Sequence, residues 1–307
     1  MSNVTFTKFD LSKYSHCLIV TDPKIAKLYD IVGDNVYLLP EGERAKSFEH
    51  VEALCRWFLG KKLAASDLVV AVGGGSVGDT VGFATGIYKR GVNVLHVPTT
   101  LIAQIDSSIG GKTAINLDGV KNAVGDYHFG DTLIDPDFLK TLDETQLLSG
   151  FGEIIKYAMI DEHVRAAYND GKGSLHDIIG ACVRCKQHLC DVDPFCRDVR
   201  SMLNFGHTIG HALELTYGIP HGVAVANGIY YETLLATKLE ICQQDYADKW
   251  THEIVKKFKI YPLNKQILSL TVQDKKNVGG KVCFVLPDVF TETYLTLDEV
   301  EELLLNA

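Results

Sequence analysis

No apolar run in this chain approaches the ~18–20 residues that span a bilayer, which excludes a membrane-spanning helix from the sequence reading. The N-terminal segment, Met1 to His16, lacks a basic stretch followed by an apolar one. It does not read as a secretion signal, and the expected compartment is the cytoplasm. Internal repeats and biased tracts are also missing, so the composition reads as that of a soluble globular protein. Positive charge is in deficit: 30 Lys and Arg stand against 39 Asp and Glu, a net charge of −9. That argues against a general nucleic-acid binder but not against a local basic pocket for a small anion.

Cysteine is not lacking. The eight residues (Cys17, Cys55, Cys182, Cys185, Cys190, Cys196, Cys242 and Cys283) read, without an export signal, as reduced thiols. Cys182 and Cys185, followed by Cys190 and Cys196, raise the question of zinc or an iron–sulfur cluster. Their segment, GACVRCKQHLCDV, has helical periodicity and no glycine knuckle, so buried or half-exposed helix cysteines are expected instead.

The 307 residues suffice for two ordinary domains. Apolar runs at residues 17–21 and 36–39 read as strands, and Ser47 as the N-cap of a helix with apolar residues at helical spacing. Residues 67–72 read as a strand of the kind buried in a parallel sheet. That strand runs into GGGSVGD, with Gly73, Gly75 and Gly78 in the G-x-G-x-x-G pattern. Strand, glycine turn and helix bring backbone N–H groups and a helix N-terminus to a pyrophosphate. The ordinary fingerprint adds an acid about 20 residues further on, yet residues 80–105 contain neither Asp nor Glu. Nucleotide binding is therefore expected, but not through a standard unit. After a further strand at 92–97, the polar segment from Asp106 to Asn122 sets lysines, an aspartate and serines among glycines, which suits an anionic, hydroxylated ligand.

Around Asp135 the pattern turns helical, with helices read at 144–160, 163–168, 175–192, 206–216, 223–242 and 247–258, a short strand at 282–286 and a terminal helix at 297–305. The expected architecture is an α/β nucleotide-binding domain over residues 1–140 and a mostly α-helical metal-binding domain over 141–307, with a ligand cleft between them. Within the second, one stretch gathers Arg200, Asn204, His207, His211 and His221. His207 and His211 are four apart and share a helix face, and three imidazoles would leave one open position on a catalytic metal. A helix start with ordinary hydrogen-bonded histidines is the alternative, and spacing alone does not choose.

Taken together, the motifs resemble the 3-dehydroquinate synthases of the sugar-phosphate cyclase family. The matching segments are EGERAKS (41–47), GGGSVGD (73–79), YKRGV (88–92), VPTTLIAQIDSSIGGKTAIN (97–116), GVKN (119–122), FLKTL (138–142), GEIIK (152–156), RSMLNFGHTIGHALE (200–214), HG (221–222) and DKKNVGGKVCFVLP (274–287). They are spread over nearly the whole chain. The resemblance implies an NAD-binding domain, a helical domain carrying a divalent metal (zinc, or cobalt), and a homodimer with its active site between domains. It implies the step of aromatic amino acid biosynthesis, in the shikimate pathway, that turns 3-deoxy-D-arabino-heptulosonate 7-phosphate into 3-dehydroquinate and phosphate. NAD takes a hydride from a ring hydroxyl and later returns it, so it is not consumed. No nucleic-acid or membrane partner is implied.

By the same resemblance, Glu153, His207 and His221 are metal ligands. Lys112, Lys121, Lys156, Lys186, Arg200 and one of Lys275 and Lys276 form a cationic shell around substrate, with Asn204 and His211 beside them. Asp106 contacts substrate hydroxyls, and Arg90 reaches a phosphate across the dimer. NAD contacts fall to Asp22, Glu43, Lys46, Gly75, Ser76, Val77, Asp79, Thr99, Thr100, Lys112, Lys121, Asn122 and Thr141, with Asp22 and Glu43 supplying the acid that the fingerprint lacks. Two positions depart from the family: Val223 and Cys196 stand where it has glutamates, both expected to tune ligand orientation. The rival readings are a polyol dehydrogenase using NAD and a metal, a cyclase for another sugar phosphate, and an inactive NAD- and metal-binding relative.

Overall fold

The computed structural model of the chain describes residues 3–169, 174–273, 277–288 and 290–306. The chain divides into two units, Met1–Asp143 with Lys186–Asp191, and Glu144–Cys185 with Val192–Ala307. The strands of the first are β1 (Val4–Phe6), β2 (Leu18–Thr21), β3 (Val36–Leu38), β4 (Leu68–Gly73), β5 (Asn93–Pro98), β6 (Lys112–Leu117), β7 (Val120–Tyr127) and β8 (Asp131–Ile134). Six of them form a wholly parallel sheet in the order β1-β8-β5-β4-β2-β3.

The continuous apolar run of β4 is explained by cover on both faces. Val69 and Ala71 join one buried cluster with Leu18 and Val20, while Val70 and Val72 join another with Ile19 and Val97, as alternation along a strand requires. From β2 the chain adds β3 on one side and returns to β4 on the other, so strand order reverses beside β2, where ligands of open parallel sheets gather. Because the strands run parallel, Thr21, Gly73 and Pro98 end at the same sheet edge. Helices α1 (Pro23–Leu28), α2 (Phe48–Gly60) and α3 (Gly75–Ile87) complete the early part of this unit. Ser47 caps α2, its side chain accepting from the His50 N–H at 3.3 Å. The polar segment expected after residue 106 is in part an antiparallel hairpin, β6 with β7.

The second unit holds α4 (Glu144–Ile160), α5 (Glu162–Asn169), α6 (Leu175–Val192), α7 (His207–Tyr217), α8 (His221–Lys238), α9 (Gln244–Lys257), α10 (Lys265–Leu270) and α11 (Leu297–Leu305), with a two-stranded sheet of β9 (Val282–Val285) and β10 (Glu292–Leu295). The turn Lys186–Asp191 of α6 counts with the first unit. Residues Ile209, Leu213, Leu235 and Phe284 lie in the core of the second. Two glycine crossings bring its helix backbones into direct contact. A Cβ on Gly152 of α4 would lie 1.8 Å from the Gly222 carbonyl oxygen of α8, and one on Gly222 would lie 1.7 Å from that of Ser149. Likewise a Cβ on Gly228 would sit 1.9 Å from the Gly206 carbonyl oxygen, just before α7.

Cys182, Cys185 and Cys190 are buried on α6, and Cys196 follows it half-buried; none of the eight cysteines is in a disulfide. Among the described residues no helix is long and apolar enough to cross a membrane.

Candidate active site

In the first unit the glycine turn is enforced by its surroundings. A Cβ on Gly73 would meet Val77 at 2.7 Å, on Gly74 it would meet Thr100 at 3.0 Å, and on Gly75 the Ser107 hydroxyl at 3.1 Å. The turn opens α3 with Gly74 as an N-cap that has no side-chain partner, which leaves early helix N–H groups to an anion. The Thr99 N–H donates to the Gly73 carbonyl at 3.0 Å, tying the end of β5 to the turn. Three buried polar atoms at or following strand ends have no hydrogen-bond partner among the described residues: Thr21 Oγ1, Thr99 Oγ1 and Gln104 Oε1. Buried polar atoms are rarely left so, and this edge fits a polar dinucleotide. Thr21 and Gln104 carried no signal in the sequence.

Several residues matched to NAD hold one another. Lys46, 5 % exposed, pairs with Asp79 at 2.6 Å and donates to the Asn122 side chain. Burial raises the Asp79 carboxyl against the pull of Lys46. Glu43 accepts from the Ser76 hydroxyl at 3.4 Å and from the Asn116 amide at 2.8 Å. Asp22 caps α1 by accepting from the Ile25 N–H at 3.0 Å, and burial raises its carboxyl. The Thr141 hydroxyl pairs with that of Tyr29 at 2.6 Å. Lys112 and Lys121 are exposed on the hairpin. Asp106 lies in a π-helical turn, Ala103–Ser107, a rare geometry frequent at functional sites, and it pairs with buried Lys186.

In the second unit Glu153, His207 and His221 converge. His221 Nε2 is 3.2 Å and His207 Nε2 3.5 Å from Glu153 Oε1, and Lys156 Nζ is 2.5 Å from Glu153 Oε2. Glu153 and Lys156 are each 1 % exposed. Burial works against the Glu153 charge, but Lys156 and the two imidazoles outweigh it and hold the carboxyl well below its ordinary value. Each histidine has its other nitrogen fixed: His207 Nδ1 to the Phe205 carbonyl at 3.0 Å, His221 Nδ1 to Glu214 Oε2 at 2.9 Å. Both Nε2 atoms are thus turned towards Glu153, the arrangement of metal-binding imidazoles oriented by outer partners. Two imidazoles and one carboxylate suit a catalytic zinc-type ion with an open position, so the residues fit the group. Burial and Lys156 lower the His207 pKa. For His221 burial is overcome by hydrogen bonds with Glu153 and Glu214, which push it up to about 9.

His211 is exposed, its ring 5.4 Å from that of His207 and 5.8 Å from that of His221. A second cluster able to hold an ion joins His211, Glu214 and His221, so geometry alone keeps both assignments of the histidines in play. The clusters found among the described residues contain no cysteine. Arg200 is buried and donates to the Pro194 carbonyl at 2.7 Å, with Asn204 half-buried at the end of the same 3-10 turn. Arg90 is exposed on a run of three left-handed residues, Lys89 (φ 51°), Arg90 (φ 67°) and Gly91 (φ 122°). Lys275 and Lys276 lie outside the described residues.

Family models for the N-terminal and C-terminal parts of 3-dehydroquinate synthase match residues 36–149 and 150–277. The chain belongs to the 3-dehydroquinate synthase family. A 3-dehydroquinate synthase from Alkaliphilus metalliredigens is 38% identical, the match covering 88% of this chain and 83% of that one. One from Dictyoglomus thermophilum is 34% identical over 92% of this chain and 85% of its own. The fold is shared more widely. A 2-deoxy-scyllo-inosose synthase complexed with carbaglucose-6-phosphate, NAD+ and Co2+ superposes with a TM-score of 0.83 at 23% identity, covering 100% of this chain and 97% of that one. An iron-containing alcohol dehydrogenase reaches 0.67 at 15% identity, covering 98% and 96%.

Of the two departures from the 3-dehydroquinate synthase pattern, Val223 is buried in α8; the carboxylate on His221 Nδ1 is that of Glu214. Cys196 takes a left-handed backbone (φ 56°) in a turn organised by Asp193. The Asp193 carboxylate accepts from the N–H groups of Arg197, Asp198 and Arg200 at 2.9, 2.8 and 3.2 Å. Sequence reading missed Asp193. It also missed Glu232, a fully buried carboxylate that accepts from the Gly206 and Ile209 N–H groups at 2.7 and 3.1 Å and so fixes the start of α7, where His207 stands.

Proposed function

We propose that this chain is a 3-dehydroquinate synthase, converting 3-deoxy-D-arabino-heptulosonate 7-phosphate to 3-dehydroquinate and phosphate in the cytoplasm, with catalytic NAD, zinc, and a homodimeric enzyme. The observation that best supports it is the buried Glu153 carboxylate meeting His207, His221 and Lys156 in a chain of this family. When bound, the ion supplies Lewis acidity at the hydroxyl to be oxidised and NAD a reversible hydride acceptor. Glu153, His207 and His221 hold the ion, and Gly73 to Asp79 with Thr99 and Thr100 hold the dinucleotide.

The remaining roles belong to side chains. Lys156 keeps Glu153 ionised and offers a donor to a substrate oxygen. Arg200 and Asn204 bind the substrate carboxylate, with Lys112, Lys121 and one of Lys275 and Lys276 completing the anion site. Asp106 and Lys186 are held as a pair, which fixes an acceptor and a donor for ring hydroxyls. His211 is exposed, with its ring 5.4 and 5.8 Å from those of the two ligand histidines, where it exchanges protons near the phosphate. Arg90 serves the phosphate of a partner subunit, its left-handed backbone fixing the direction in which it leaves the domain.

A polyol dehydrogenase would share the fold but would have no use for buried cations at an anion site. The test is turnover of the heptulosonate phosphate with NAD far below substrate concentration. Phosphate and dehydroquinate should form with no accumulation of NADH. NADH rising in step with product, or no phosphate from the metal-loaded protein, would reject the proposal.

A further inference from the structure

Helix α3 carries glycine at 75, 78, 82 and 86, spaced so that all four share a face. Each interior helical glycine costs about 1 kcal/mol against alanine, so four on one face need a reason. Their Cβ directions give one. Positions 75, 78, 82 and 86 look onto the Ser107 hydroxyl at 3.1 Å, His96 Nδ1 at 3.6 Å, the Thr113 methyl at 2.4 Å and the His128 Cβ at 3.1 Å, all on polar residues. The face is shaped around a polar row.

One member of that row is singular. His96 on β5 is 7 % exposed, and its Nδ1 has no hydrogen-bond partner among the described residues. Burial, with His128 nearby, holds its pKa down at about 4, so the ring is neutral and one nitrogen carries a free lone pair. A cavity of about 10 Å³ lies beside it, bordered by Gly73, Gly75, Gly78, His96, Ser107 and Ser108. That is about the room one water needs, and buried waters settle where polar groups otherwise lack partners. The cavity is bordered by Gly73, Gly74 and Gly75 of the turn assigned above to the dinucleotide phosphates.

We propose that this cavity is a specific binding site for one water molecule, held by His96 Nδ1 with the Ser107 hydroxyl, and that the water props the glycine turn in its phosphate-binding shape. His96 is then a positioning residue for the dinucleotide. The proposal rests on the NAD reading given above. It gives glycine at 78 a reason: a methyl group there would make an ordinary contact with the imidazole at 3.6 Å, yet it would occupy the water's space.

The experiment uses the full chain and NAD itself. A high-resolution crystal structure of the wild type should place one ordered water within hydrogen-bond distance of Nδ1; a dry contact there overturns the site whether or not NAD binds. Calorimetric titration then compares His96→Leu, His96→Gln and Gly78→Ala. His96→Leu should raise the Kd for NAD about two- to tenfold, the worth of one hydrogen bond, and His96→Gln should recover most of it. Gly78→Ala should raise the Kd similarly while its thermal midpoint holds or rises, because alanine favours the helix. A purely packing role predicts the opposite pattern: Leu and Gln equally impaired, with melting and affinity falling together, or Gly78→Ala binding NAD as well as wild type. Either result overturns the proposal. Wild-type protein that binds no NAD would instead reject the functional reading, leaving the crystallographic arm to decide the water.

Discussion

Gly152→Ala should uncouple the metal ligands without touching any of them. The added Cβ would lie 1.8 Å from the Gly222 carbonyl oxygen, where ordinary contact begins at 3.4 Å. The obstacle is backbone, so it cannot rotate away, and α4 and α8 must part locally by about 1.6 Å (3.4 − 1.8). Glu153 follows Gly152, and His221 precedes Gly222, so the same displacement falls on the 3.2 Å approach of Glu153 to His221. Metal–ligand distances tolerate only about ±0.2 Å, far less than the shift. Overpacking of this kind costs about 1–3 kcal/mol, and the better helix propensity of alanine offsets at most about 1 kcal/mol. The expectation is a modest fall in the thermal midpoint together with a loss of metal affinity of at least ~10–100-fold, the effect typical of disturbing ligand orientation. Metal content of the purified variant, followed by chelator-competition titration with zinc, measures it. Gly60→Ala is the control, since a Cβ there meets nothing within 4 Å. A Gly152→Ala protein that melts lower but binds zinc within twofold of wild type would show that the crossing serves packing alone, and the reasoning would fail.

His211→Ala should keep stoichiometric metal and lose mainly turnover, whereas His221→Ala should lose both; a metal-free His211→Ala beside a metal-loaded His221→Ala would favour the second histidine cluster. Mixing Arg90→Ala with Lys156→Ala chains should restore part of the activity by forming one intact site per mixed dimer, and no recovery after demonstrated chain exchange would place Arg90 within its own subunit's chemistry or outside it. The acid limb of stability should bear the mark of His96. Its folded pKa of about 4 lies below the ordinary value of 6.5, so the unfolded chain takes up a proton that the folded one refuses. Stability is full above pH 6.5 and falls as pH drops towards 4, by about 3 kcal/mol over the 2.5 units (6.5 − 4). Urea midpoints at pH 7 and 4.5 should therefore lie closer together in His96→Gln than in wild type; equal pH dependence in both would refute it.

How far the sequence reached can be seen residue by residue. The run Leu-Val-Val-Ala-Val before Gly73 was legible as a covered parallel strand because burial on both faces leaves no polar alternation. The hairpin β6–β7 was not: β7 is mostly exposed, so its strands follow from cross-strand pairing and from contacts such as the one between Lys46 and Asn122, which leave no period in the sequence. The histidines show the same limit. Spacing joined His207 to His211, but His207 and His221 are the first residues of two different helices, and their approach depends on glycine contacts and on the distant Glu232. The sequence offered His221 as a third imidazole, but only the family resemblance set it with His207 and Glu153 and left His211 out. The carboxylate on His221 Nδ1 was equally invisible, because Glu214 stands seven residues away on another helix and spacing gives no hint of the pair.

That both histidines open helices has an electrostatic consequence. A helix start carries roughly half a positive charge, so α7 and α8 each bring an unfavourable field to the site proposed for a cation. The two are compensated differently. The Glu232 carboxylate accepts from two N–H groups at the start of α7, while at the start of α8 the Ser149 hydroxyl accepts from the Gly222 N–H at 2.9 Å and the carboxylates of Glu153 and Glu214 lie against His221. An ion at the proposed site would therefore depend on the carboxylates of Glu153 and Glu214 to offset the field of α8, and weakening either should speed its exchange with chelators. An anion approaching the same place would meet the two helix starts with the opposite sign, so they would favour a charged oxygen there while opposing a bare cation.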